Sequence, residues 1–125
     1  MKTVMAIIRI DKMNRTKKAL STAGISSMTA LSQVHGRGKG LVDRKVVEGA
    51  TENIPEAVAQ LGTEPRLRPQ RVVYVTVPND KVDTVVNTII EANQTGQPGD
   101  GKIFVLPEND AIRVRSGEYG NSVLD

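Results

Sequence analysis

The 125-residue chain contains no cysteine. Disulfide scaffolds, thiolate metal sites and cysteine nucleophiles are thereby excluded. Its one histidine, His35, argues against a multi-histidine metal centre and against a Ser-His-Asp triad. Aromatic residues make up 2% (Tyr74, Phe104 and Tyr119), too few for the stacking platforms on which single-stranded RNA is read. Long apolar runs are missing too. The longest, Val4 to Ile8, falls far short of the ~20 residues that span a bilayer. No apolar leader with a small-residue cleavage site follows Lys2, so a cytoplasmic location is expected. The formal net charge of +3, with a pI near 9.4, is weaker than the footprint of a dedicated nucleic-acid binder.

What remains is an ordinary globular composition, 38% apolar and 25% charged, too apolar for a disordered chain. The length predicts one domain, residues 1–125. Met1 to Ile10 reads as a strand apolar on both faces apart from Arg9, which is the pattern of a strand covered on both sides. Asp11 is placed to cap a helix running to Ala23, with Met13, Leu20 and Ala23 inward and Gly24 past its end. Ile25 to Val34 is a second strand. A long segment, about 37 to 70, then has little strand pattern. Within it, Pro55 and Gly62 bracket a short helix, Glu56 to Leu61, with Val58 and Leu61 as its apolar contacts.

Regularity resumes with a strand from Arg71 to Val77, which Pro78 ends. Asn79 or Asp80 caps a helix through Asn93, whose Val82, Val85, Val86, Ile89 and Ile90 form a helical stripe. A loop from Thr95 to Gly101 leads into a strand from Lys102 to Leu106, and Ala111 to Arg115 reads as extended. The tail, about 116 to 125, is polar and expected to be mobile unless a partner holds it. This order predicts an α+β, ferredoxin-like βαββαβ sandwich with a long loop between strands 2 and 3. Two helices cover one sheet face only. The other face is apolar, so either the long loop folds over it or, the favoured solution, copies of the chain pack through their sheets.

Three segments could carry chemistry. In Thr95-Gly96-Gln97-Pro98-Gly99-Asp100-Gly101-Lys102, the glycines let backbone N–H groups approach a ligand and Lys102 adds a cation, which suits phosphate. The alternative is a turn without a ligand. Gly96 to Lys102 fits the P-loop string, but Ile103 replaces its hydroxyl residue and the loop precedes a strand rather than a helix; a P-loop NTPase is rejected. In Ile112-Arg113-Val114-Arg115, strand alternation would point both guanidiniums one way, toward a polyphosphate or simply into solvent. Gly36-Arg37-Gly38-Lys39-Gly40 is either a second anion nest or a hinge, with His35 a bystander.

Taken together, this element order, the Thr-Gly-x-x-Gly-Asp-Gly-Lys-Ile-Phe motif from Thr95 to Phe104 and Ile-Arg-Val-Arg-x-Gly-Glu from Ile112 to Glu118 resemble the PII family of nitrogen signal-transduction proteins. The resemblance runs from Ile7 to Glu118. The compact Gly36-to-Gly40 motif, the enlarged loop after it and Asn93-Gln94-Thr95-Gly96 resemble the nitrogen-fixation subgroup. The resemblance implies a trimer with nucleotide clefts between subunits. ATP or ADP phosphates would be held by Gly99, Gly101 and Lys102 and reached by Arg113 and Arg115. Ile7, Ser27, Met28, Thr29 and Thr76 would surround adenine and ribose. Gly36 and Gly38 would border the nucleotide and begin the loop that docks on a target.

Magnesium and 2-oxoglutarate are the further effectors that the resemblance implies. Here the family's Gly-x-Gly-Arg-Gln-Lys-Gly is two residues shorter and lacks its glutamine, and Gln70 replaces a lysine. Lys39 and Arg71 are the remaining candidates for 2-oxoglutarate, and a paralogous subunit could supply a complete site. No catalytic or metal-ligating residue is assigned. The loop has no tyrosine to be uridylylated, but Arg44 and Lys45 with the Val58/Leu61 pair suit protein contact. The resulting expectation is a regulator, not an enzyme, that inhibits nitrogenase by direct contact. The alternative is a PII-type regulator of an ammonium channel or another nitrogen-metabolism target. ATP hydrolysis is disfavoured, because Asp100 is the one acid near the phosphate loop and suits bracing the turn.

Overall fold

The computed structural model describes residues 1–37 and 66–125. Strand β1 (Lys2–Arg9) passes through a 3-10 turn (Ile10–Lys12) into helix α1 (Met13–Thr22). Two short strands, β2 (Thr29–Ala30) and β3 (Val34–Gly36), follow, and then the long β4 (Arg68–Val77). A second 3-10 turn (Asn79–Lys81) opens helix α2 (Val82–Asn93), and β5 (Lys102–Pro107) completes the sheet. β1 and β4 are central, β5 flanks β1, and β2 and β3 both pair with β4; every pairing is antiparallel. This is the ferredoxin-like α+β sandwich that the element order predicts.

Register decides which side chains are covered. Val4 lies opposite Val75 and Val105, and Ala6 opposite Val73 and Ile103, so these share the face that the helices cover. Val4, Ala6, Val73 and Val75 are fully buried there against Met13, Leu20, Val85 and Ile89. A buried bond from Asn93 Nδ2 to Thr16 Oγ1 (2.9 Å) ties α2 to α1. On the other face, Met5 lies between Tyr74 and Phe104, and Ile7 between Val72 and Lys102. No helix covers this face among the described residues, and Phe104 and Leu106 remain about two-fifths exposed. Nor is any described helix long and apolar enough to cross a membrane.

Four local expectations need correction. The second strand is not continuous from Ile25 to Val34. Its pairing with β4 slips by one residue between Ala30↔Val73 and Val34↔Gln70, so Ser32 and Gln33 stand opposite Arg71 alone. That is a β-bulge. The Arg71 Nε–H donates to the Leu31 carbonyl at this point (2.7 Å). Neither Asp11 nor Asn79 nor Asp80 caps its helix by a side-chain bond. Both helices instead enter through 3-10 turns, where Asp11 and Asp80 lie in the first turn and favour the positive end of the helix dipole. Gly24 does end α1: at φ +86° it sets bonds from Gly24 N to Ser21 O and from Ile25 N to Leu20 O.

The remaining corrections concern the C-terminus. Ala111 to Arg115 is not a strand, because Ile112 bridges only Tyr119 and a tight turn intervenes, closed by Gly117 N to Arg113 O (2.8 Å). The tail is held by its own chain. Gly120 N bonds to Ala111 O (3.0 Å), and Asn121–Val123 forms a last 3-10 turn. The expected short helix from Glu56 to Leu61 lies outside the described residues.

Candidate functional site

The glycine-rich loop between α2 and β5 closes on its own acid. The Asp100 carboxylate accepts from Thr95 N (2.7 Å), Thr95 Oγ1 (2.5 Å), Gly96 N (3.0 Å) and Arg9 Nη2 (3.2 Å). The same Arg9 nitrogen donates to the Pro98 carbonyl (2.9 Å), and Gln97 N to Thr95 Oγ1 (3.2 Å). Gly96, Gly99 and Gly101 take φ values of +81°, +97° and +110°, which side chains disfavour. At Gly101 the reason is also contact: a Cβ would lie 1.9 Å from the Ile7 carbonyl oxygen on β1.

These donors, the Thr95 side chain first, pull the Asp100 pKa down from 3.8 to about 2. A carboxyl whose pKa is lowered by folding stabilises the fold above its unfolded value and loses that contribution as pH falls through the folded value. The loop should therefore stay closed at pH 5 and loosen between about pH 4 and 2. Amide exchange of Gly96 across that window checks this; protection unchanged down to pH 2 would contradict it.

Beside the loop lies a cavity of about 530 Å³. Its walls are the loop from Gln97 to Lys102, Ile7 and Phe104 from the open sheet face, and Gly36, Arg37 and Gln70 from the β3–β4 edge. Topology makes this set: Ile7 pairs with Lys102, and Arg9 with Gln70, so the end of β1 carries the loop on one side and β4 on the other. Gly36 runs close to Gln70, whose Oε1 would be 2.5 Å from an added Cβ. Arg37 and Lys102 are exposed and form no recorded ion pair among the described residues. Glycine-loop N–H groups, two cations and a neutralised carboxylate make a concavity suited to a polyanion.

The sequence-derived residues fall into two groups. Ile7, Gly36, Gly99, Gly101 and Lys102 meet in this cavity. The others among the described residues lie outside it. Thr76 pairs with Thr3, their hydroxyls 2.7 Å apart, four residues or about 13 Å along the strand from Ile7. Ser27 and Thr76 share a small crevice with Leu124 and Asp125 of the tail. Met28 packs against the core, and Thr29 pairs with Tyr74. Arg113 is tied to Glu118 (3.5 Å) and to the Ser122 carbonyl (3.5 Å), and Arg115 sits in the turn after it. Arg71 is not in the cavity. It points from the other face of β4, and Gln70 lines the wall instead. Gly38, Lys39, Arg44, Lys45, Val58 and Leu61 lie outside the described residues.

Arg37, Gln70, Gln97 and Phe104 are wall residues that were not singled out as ligands. Strand alternation backward from Val72 carries the signal for Gln70, once β4 is known to begin at Arg68. Arg37 stands inside the glycine-alternating segment and could have been weighed as a cation there.

Comparison with known proteins agrees with this architecture. Residues 1–118 match the family described as "Nitrogen regulatory protein P-II". The "Nitrogen fixation nifHD region GlnB-like protein 2" of Methanobacterium ivanovii is 41% identical, over 99% of each chain. "Nitrogen regulatory protein P-II 1" of Escherichia coli is 36% identical over 99% of this chain and all of that one. The crystal structure of Arabidopsis thaliana PII bound to citrate superposes with a TM-score of 0.71 at 33% identity, covering 98% of this chain and 88% of that one. With its glycine loop, sheet order and nearly full-length match in place, the chain belongs to the nitrogen regulatory protein P-II family.

Proposed function

We propose that this protein is an ATP-sensing regulator of the nitrogen-fixation type, working in the cytoplasm as a trimer, and that it inhibits nitrogenase by direct contact. One observation carries the nucleotide part. Of the residues expected to bind ATP, Ile7, Gly36, Gly99, Gly101 and Lys102 line one cavity and Ser27 and Thr76 line a separate crevice, so a single copy does not bring them to one ligand. Two neighbouring copies can, with Gly99, Gly101 and Lys102 of one facing Ser27, Thr29, Thr76, Arg113 and Arg115 of the next. The apolar face around Met5, Tyr74 and Phe104, which no helix covers among the described residues, gives the copies a reason to associate.

The loop's N–H groups and Lys102 fit the phosphates of ATP or ADP. The fit to magnesium-bridged 2-oxoglutarate is poorer. Asp100 is saturated by donors, and Gln70 presents a neutral amide where a carboxylate ligand would need a cation. We therefore assign that effector to mixed assemblies with a paralogous subunit. Effector binding changes nitrogenase affinity only as far as it favours one conformation over another.

Lys102→Ala is expected to weaken ATP binding by about 1.5–3 kcal/mol, the worth of a charge-assisted bond, or roughly 10- to 150-fold in Kd. Calorimetry showing wild-type affinity would remove Lys102 from the site. For the target, nitrogenase activity is measured with this protein and its paralogue, with and without 2-oxoglutarate. Activity unaltered in every combination counts against nitrogenase and turns attention to an ammonium channel.

A further inference from the structure

We infer that Arg9 is a positioning residue of the anion site: its guanidinium withdraws two electron-rich oxygens of the glycine loop, Pro98 O and Asp100 Oδ1, from the phosphates. The inference rests on the nucleotide reading above. Arg9 is the last residue of β1 and is not part of the cavity wall. One of its nitrogens, Nη2, carries two hydrogens and donates to both oxygens, at 2.9 and 3.2 Å.

The electrostatics give this contact its meaning. Asp100 lines the cavity and carries a full negative charge at neutral pH, because its pKa lies near 2. A carboxylate there repels phosphate. Among the described residues four donors reach it, of which Thr95 N, Thr95 Oγ1 and Gly96 N are neutral and Arg9 brings a compensating charge. The Pro98 carbonyl has no other recorded partner among the described residues, and Arg9 engages it. The ion pair is partly exposed, with side chains 36% and 23% accessible, so solvent screens part of it. Arg9 thus couples the central strand to the loop and offsets the negative charge that Asp100 presents to a triphosphate.

The experiment compares ATP affinity in wild type, Arg9→Gln, Arg9→Lys and the double variant Arg9→Gln/Asp100→Asn. Arg9→Gln is expected to lose about tenfold in affinity, near 1.4 kcal/mol. Arg9→Lys, which keeps the charge, should recover most of the loss. Removing the exposed carboxylate in the double variant should recover several-fold over Arg9→Gln, whereas a purely structural brace predicts no recovery or a further loss. Without nucleotide, NMR titration of Asp100 should show its pKa rising in Arg9→Gln. Wild-type affinity in Arg9→Gln, an unmoved Asp100 titration, or a double variant no better than Arg9→Gln overturns the proposal. Wild-type protein that binds neither ATP nor inorganic triphosphate ends the nucleotide reading and this inference together. Wild-type binding with an unaffected Arg9→Gln ends the inference alone.

Discussion

Gly101→Ala is expected to cost about 3 kcal/mol of stability or more and to abolish binding at the glycine loop. The added Cβ would sit 1.9 Å from the Ile7 carbonyl oxygen and 3.0 Å from its carbon. Both belong to the backbone of the central strand, so no side chain can swing aside. The φ of +110° adds strain of its own. Relief requires the Ile7–Lys102 pairing to open, which moves Lys102 and the N–H groups beside it together. Gly96→Ala is the matched control. It shares a positive φ, +81°, but its Cβ would meet nothing within 4 Å, so it should cost about 1 kcal/mol. Thermal unfolding at fixed protein concentration and ATP calorimetry measure both. A Gly101→Ala protein within 1 kcal/mol of Gly96→Ala, binding ATP normally, would mean that β1 and the loop are not packed this closely.

Ile89→Ala is expected to destabilise by about 2–5 kcal/mol, and Ile90→Ala by less than about 1 kcal/mol. The sequence stripe contains both residues. In the fold Ile89 is 1% exposed within the core beneath β1 and β4, whereas Ile90 is 40% exposed beside β5. Truncating Ile89 leaves a cavity at the base of the helix that delivers the loop, while truncating Ile90 uncovers little. Denaturant midpoints at one protein concentration separate the two. Equal losses would mean that α2 is rotated about its axis from the orientation described, or that Ile90 is covered by another copy.

The features legible in the chain were local ones. Gly24 marks a helix end because a positive φ and two backbone bonds involve only residues 20–25. The glycines of the 95–101 loop mark the positive-φ positions of a tight turn, and the stripe of α2 declares a buried side through its spacing. Less was legible wherever the deciding partner lies far along the chain. The one-residue slip opposite Arg71, which divides the second strand into β2 and β3, depends on how strands separated by the long loop come into register. The bend after Arg113 is set by a turn and a tail contact rather than by the alternation of Ile112 to Arg115.

By itself, then, the sequence determined the order of the main elements, the end of α1 at Gly24 and the glycine-rich turn before β5, because those follow from backbone preferences and apolar spacing over a few residues. Only the tertiary structure decided what surrounds that loop. Arg9 reaches Asp100 across 91 residues of chain and Asn93 reaches Thr16 across 77, and Ile7 and Lys102 line one cavity while Ser27 and Thr76 line another. Contacts of that range are set by strand register and packing, which no short stretch of sequence contains.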